Sequence, residues 1–202
     1  MKRGMVLTII MATLVLFTGC QKDNNNGVGN EPAGNNIQNN VDNNGTSQDG
    51  EAVIPNQLPE SKLFETVKKI YEVKNPDLAL GNIPVDLADN EAVKTYTGLS
   101  DSSKVKDIAV SEAMIGAQAY SLVLVQLNNT GDTEAVANEM LNGIDQRKWI
   151  CVEADDLQVV AQDDLIMLFM VSSELKDVTT SQDMVDAFKK VRGDKLDIQL
   201  KK

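Results

Sequence analysis

Two serines stand three residues before a lysine, in Ser103-x-x-Lys106 and Ser173-x-x-Lys176. That spacing suits nucleophilic catalysis when a helical turn brings the amine to the hydroxyl and lets it take the proton. The arrangement also needs Ser-Asp-Asn and Lys-Thr-Gly partners; neither sequence occurs, and Ser103 leads into a strand-like alternation. Both matches therefore read as surface residues. Two acidic pairs, Asp155-Asp156 and Asp163-Asp164, are the next candidates, with Glu153 close in sequence. If their loops converged, carboxylate oxygens alone would suit a Ca²⁺ ion, which takes about six to eight oxygen ligands, although no D-x-D-x-D-G loop orders them. The same residue types serve a glycosidase as acid and nucleophile, but at 4% aromatic residues the chain has little to stack a sugar. The plainer expectation is of acids that favour turns and keep hairpin edges soluble.

Composition removes other chemistries. The 202 residues include no histidine, which excludes Ser-His-Asp and Cys-His nucleophiles, the HExxH zinc helix and a histidine switch. Two cysteines exclude a disulfide framework and a Cys-rich metal site. A net charge of −11 argues against nucleic acid as a partner, since phosphate neutralisation needs clustered Lys and Arg. No Gly-rich phosphate loop appears, so no cofactor is expected. Cys151, between Ile150 and Val152, reads as a small buried residue; the functional alternatives are a reactive thiol or half of an intermolecular disulfide. Trp149 is expected to be partly buried, with a partner anchor as its functional alternative. Met114, Met140, Met167, Met170 and Met184 sit on core-like patterns and read as packing.

The amino end reads as an address label. Lys2 and Arg3 precede an apolar run from Met5 to Phe17, then Thr18-Gly19-Cys20. Thirteen residues rise about 20 Å as a helix, short of the roughly 30 Å hydrocarbon core, so residues 1–19 read as a signal peptide rather than a span. Leu16-Phe17-Thr18-Gly19-Cys20 resembles the lipobox of bacterial lipoproteins. The resemblance implies cleavage before Cys20, acylation of its thiol by a diacylglycerol, and anchoring by at least two chains, which hold where one does so only marginally.

From Gln21 to Pro55 the chain has ten Asn, five Gly and no aromatic residue in 35 positions. Such a stretch cannot bury enough apolar surface to offset its ordering entropy. It reads, with Cys20, as a disordered tether over residues 20–55, spanning roughly 30 Å on average. Removal of the signal leaves 17 basic against 30 acidic residues, or −13; the tether holds −4 of this and residues 56–202 hold −9. An acidic body is repelled by anionic lipid, so the acyl chains must do the anchoring.

The remaining residues, 56–202, pattern as a single α+β domain. Leu63, Phe64, Val67, Ile70 and Tyr71 keep a helical period that Asn75-Pro76 stops, and a shorter helix is expected over Asp86 to Thr97, ending at Gly98. Alternation from Lys104 to Met114 and the apolar run Ala119 to Leu127 predict two strands. Asp132 is placed to cap a helix carrying Val136, Met140, Leu141 and Ile144 and ending on Arg147 and Lys148. Leu157 to Ala161 and Leu165 to Val171 predict a hairpin; a last helix follows Thr180-Ser181 and stops at Gly193. Leu196, Ile198 and Leu200 alternate as a short terminal strand. The expected architecture is two strand-strand-helix units pairing into one four-stranded, mostly antiparallel sheet with helices covering a face, preceded by one or two helices. The stretch from about Asp86 to Arg192, above all TYTGLSDSSKVKDIAVSEAMIGAQAYSLVLVQL at Thr95 to Leu127, resembles a clostridial-type lipoprotein family of unknown function. That resemblance implies a Gram-positive host and assigns no site residues.

The expected function is that of a non-enzymatic binding or interaction module, lipid-anchored on the outer face of the cytoplasmic membrane. Its partners are the membrane, through Cys20, and another envelope protein or a wall component. The alternative is an envelope hydrolase or a small-solute or Ca²⁺-binding protein working through Asp155, Asp156, Asp163 and Asp164. Replacing Cys20 with Ser is expected to release the protein from the membrane fraction or block its processing. Unchanged fractionation and mass would refute lipidation.

Overall fold

A computed structural model of the protein describes residues 61–202. The expected signal peptide (1–19), Cys20, the expected tether (20–55) and residues 56–60 of the predicted domain lie outside the described residues. In chain order the elements are helix α1 (Phe64–Val73), strand β1 (Leu80–Pro84), helix α2 (Asn90–Thr97), strands β2 (Val105–Ala113) and β3 (Tyr120–Leu127), and helix α3 (Thr133–Gly143). Strands β4 (Asp156–Gln162) and β5 (Leu165–Val171), helix α4 (Ser181–Arg192) and strand β6 (Ile198–Lys201) complete it. The fold is α+β, as the pattern of periods implies.

All strands join one sheet in the order β1-β2-β3-β5-β4-β6, each antiparallel to its neighbours. The two predicted hairpins are its four central strands, and the terminal strand pairs with β4 as β6. β1 has no counterpart in the sequence reading. Leu-Gly-Asn-Ile-Pro shows no clean alternation, and its glycine and proline are residues that an edge strand tolerates and a central one does not.

Helix placement follows from the sheet. β5 (LIMLFMV) is buried at all seven positions and β3 at seven of eight, so both faces need cover. On one face Leu122, Leu124, Met167 and Phe169 pack beneath Phe64, Val67 and Ile70 of α1 and Met184, Val185 and Phe188 of α4. On the other, Val123, Val125, Ile166, Leu168 and Met170 meet Val93 of α2 and Val136, Ala137 and Met140 of α3. Helices thus cover both faces rather than one. Each fully buried large side chain contributes about 1.5–3 kcal/mol, which makes this double layer the main source of stability.

Local chemistry ends the helices. Asp89 caps α2 by accepting from the Glu91 and Ala92 amides, and Thr180 with Asp183 forms a capping box on α4. Gly98 and Gly193 close α2 and α4 in the left-handed region, at φ 79° and 111°. Asp132 does not cap α3: its backbone is already helical after a 3-10 turn over Thr130–Asp132, and its carboxylate lies 3.3 Å from the Lys104 ammonium. Nor does α3 reach Arg147 and Lys148. It stops at Gly143, where its backbone meets that of Gly98; a Cβ built on Gly98 falls 2.3 Å from the Ile144 nitrogen, and one on Gly143 falls 2.0 Å from the Gly98 oxygen. The chain leaves this contact extended at Ile144.

Two side-chain expectations change with it. Met114 lies one residue past the end of β2 and is 74% exposed, whereas Met140, Met167, Met170 and Met184 are buried. Cys151 is exposed rather than buried, with φ 63°, because β4 begins only at Asp156 and Ile150–Val152 is therefore loop. Trp149 is half-buried, as expected.

Gly98→Ala is expected to cost at least about 1–2 kcal/mol for the left-handed backbone, with the clash against Ile144 added. Gly143→Ala should destabilise through its clash alone. Gly116→Ala and Gly131→Ala, whose built Cβ atoms meet nothing within 4 Å, should stay within about 0.5 kcal/mol of the parent in urea melts. Equal stability of all four variants would contradict the glycine contact.

Candidate interaction surface

Strand register sorts the loops into two groups. Leu80, Ala113, Tyr120, Val171 and Asp156 lie in line at one end of the sheet, the Tyr120 end. The segments 74–79, 114–119, 144–155 and 172–180 emerge there. Every exposed large hydrophobic side chain among the described residues belongs to this end: Val73 closes α1, Met114 and Ile115 open the β2–β3 loop, and Ile150 is 78% exposed in the α3–β4 loop. The opposite, Leu127 end carries the tight turns at 128–132 and 163–164. Ser61, where the described chain begins, also sits towards that end, its hydroxyl donating to Asp107 near the start of β2 at 2.8 Å.

The α3–β4 loop is stapled at its base. The Gln146 side chain donates to the Ala154 carbonyl at 2.6 Å, and the Ala154 amide donates to the Gln146 carbonyl at 2.9 Å. Arg147 pairs with Glu153 across the loop at 2.8 Å. Closed ends and internal pairing make this a compact Ω-like loop. Inside it the side chains divide: Ile150 and Cys151 face water, Trp149 is half-buried, and Lys148 turns inward.

The Lys148 ammonium donates to the Glu112 carboxylate of β2, which also accepts the Ser121 hydroxyl of β3 at 2.7 Å. The side chains of Lys148 and Glu112 are only 11% and 13% exposed. The same ammonium lies 5.0 Å from the centre of the Tyr96 ring and 5.1 Å from that of Trp149, within cation–π range. Burial pulls the Lys148 amine below its ordinary value, and Glu112 opposes that shift. Burial pushes the Tyr96 phenol up, and the Glu112 carboxylate adds to the effect. Lys148, Glu112 and Tyr96 carry no motif. The available signals were a lysine embedded beside Trp149 and Ile150, and a glutamate on an otherwise apolar alternation.

The structure separates the sequence-derived candidates. The two acidic pairs stand at opposite ends of β4, roughly 20 Å or more apart by strand rise. Asp155 accepts from the Ser173 amide at 2.6 Å and hydroxyl at 2.7 Å. Asp156 accepts from the Ser181 amide at 2.7 Å and hydroxyl at 2.6 Å, at the amino end of α4, and lies 3.6 Å from the Lys201 ammonium. Asp163 forms the β4–β5 turn at φ 55° with its carboxylate 3.8 Å from Arg192, and the Asp164 carbonyl accepts the Leu127 amide. Among the described residues no group of three or more Asp, Glu or Cys side chains is placed to hold a metal ion. Ser103 precedes β2, on which Lys106 is exposed, and the Ser173 hydroxyl is turned to Asp155 rather than to Lys176.

The Ser173 hydroxyl and amide hold the Asp155 carboxyl below the usual carboxylate range. A depressed folded value means that this contribution to stability is complete above the unfolded value of about 3.9 and is lost as pH falls through the folded one. Ser173→Ala is expected to move the Asp155 midpoint upward in a carboxyl-carbon NMR titration; an unmoved midpoint would contradict the hydrogen bond as its cause. Compared with known proteins, the chain matches no family model, no curated sequence and no solved structure.

Proposed function

We propose that the chain is a lipoprotein held at the outer face of the cytoplasmic membrane by acyl chains on Cys20, and that its domain docks another envelope protein through the Tyr120 end. The observation that carries this reading is the placement of Val73, Met114, Ile115 and Ile150, the exposed large hydrophobics among the described residues, at one end of the sheet. Met114 and Ile115 on the β2–β3 loop and Ile150 on the α3–β4 loop give this end the exposed apolar character that protein contacts favour. A half-buried Trp149 beside exposed Ile150 supplies the aromatic anchor that such contacts favour. The −9 carried by residues 56–202 disfavours an anionic lipid surface as the occupant.

The hydrolase and Ca²⁺ readings gain no support, because the two acidic pairs stand at opposite ends of β4 and the Asp155, Asp156 and Asp163 carboxylates are engaged by Ser173, Ser181 and Arg192. Photo-reactive residues placed at Met114 or Ile150 in living cells should give discrete protein adducts, and one at exposed Lys195 of the Leu127 end should not. Ile150→Asp should abolish the Met114 adduct while leaving stability within about 0.5 kcal/mol. Equal labelling from both ends, or labelling of lipid alone, would overturn the proposal.

A further inference from the structure

We infer that Lys148 is the positioning residue of the docking loop: its ammonium, held by Glu112 against Tyr96, fixes how Trp149 and Ile150 are presented. This rests on the docking role proposed for the Tyr120 end and adds what sets the shape of that surface. The contact joins four elements. Tyr96 comes from α2, Glu112 from β2, its second donor Ser121 from β3, and Lys148 with Trp149 from the loop itself. The Gln146–Ala154 staple closes the base of the loop, with Ala154 in the core and Trp149 and Val152 packed against it; the directional contact between the tip and the sheet is the Lys148–Glu112 pair.

The energetic logic is conditional. An ammonium this far from water is tolerated only with its carboxylate in place; a lone buried charge is strongly unfavourable. Losing Glu112 therefore does more than remove one bond. It drives Lys148 outward to solvent, and Trp149 and Ile150, next along the backbone, move with it. Removing both charges together leaves an apolar stem against the two rings, which is acceptable again. Loop closure thus requires both charges or neither, and that coupling separates a positioning pair from simple packing.

Trp149 is the single tryptophan of the chain and reports on the loop directly. In the full chain, Glu112→Gln is expected to shift its emission to the red and raise its quenching by acrylamide. Exchange of the Arg147 and Ala154 amides, bonded to the Asp145 carboxylate and the Gln146 carbonyl, should rise on the order of tenfold while β3 and β5 stay protected. Adding Lys148→Met to Glu112→Gln should return emission and exchange towards the parent. If Glu112→Gln is too unstable to read, Lys148→Met against Lys148→Arg decides: the loop opens in the first and stays closed in the second, where the cation and its ring contacts persist. Parental emission and exchange in Glu112→Gln, equal loosening of the sheet, or like behaviour of Met and Arg would overturn the inference. None of these readouts needs a partner, so such a failure leaves the cross-linking test of docking to stand or fall separately.

Discussion

β5 is apolar at every position and buried at every position, and most of the architecture answers to that fact. A strand with no polar face cannot lie on a sheet with one side in water. Antiparallel sheets often keep a solvated face; this one cannot at its centre. Cover has to come from both sides, and the chain supplies it by sending α3 and α4 from their hairpins to opposite faces. Each is joined there by one of the two preceding helices, α2 beside α3 and α1 beside α4. With both faces closed, the loops at the sheet ends are left as the places where large apolar side chains meet water.

The two ends are built differently. At the Leu127 end short turns satisfy themselves: the Asp164 carbonyl takes the Leu127 amide, the Asp163 amide donates to Asp197, and the Thr133 hydroxyl donates to the Thr130 and Asp163 carbonyls. At the Tyr120 end the connections are longer and their geometry is set from a distance. The Gly98–Gly143 contact stops α3 and aims Ile144 outward, and the ion pair to Glu112 then turns the loop back towards the sheet. Long loops with few buried contacts are the low-stability end of a structure and the ordinary location of binding surfaces.

Elements with a strong period were legible in the sequence. α1 and α4 carry clear apolar stripes, β3 and β5 are runs too apolar for anything but an interior, and Thr180, Gly98 and Gly193 mark helix ends by local chemistry. What escaped depends on contacts between distant residues. β1 is strand only because β2 offers it an edge, and nothing in Leu-Gly-Asn-Ile-Pro announces this. Arg147 and Lys148 suited a helix end electrostatically, but Gly98, 45 positions from Gly143, stops the helix first. The acidic pairs looked like a site because their partners Ser173, Ser181 and Arg192 lie far along the chain. The lipobox-like run Leu16–Cys20 is the reverse case: it is a linear pattern read without reference to a fold, and the anchoring it implies is a proposal.

A buried ion pair at Lys148 is an uneconomical way to hold a loop if stability is the only aim. Well-packed apolar side chains of similar volume hold at least as firmly. They also hold less selectively, because an apolar tip is satisfied by any orientation that excludes water. An ammonium has one place to go: the carboxylate that Ser121 orients, between the Tyr96 and Trp149 rings. With Ile150 two residues on and exposed, such selectivity matters. Released from Glu112, the tip would follow Lys148 towards solvent, and Trp149 and Ile150 would lose their fixed presentation. With Lys148 directed inward to that one carboxylate, Trp149 and Ile150 hold a single presentation, which apolar packing alone would leave unspecified.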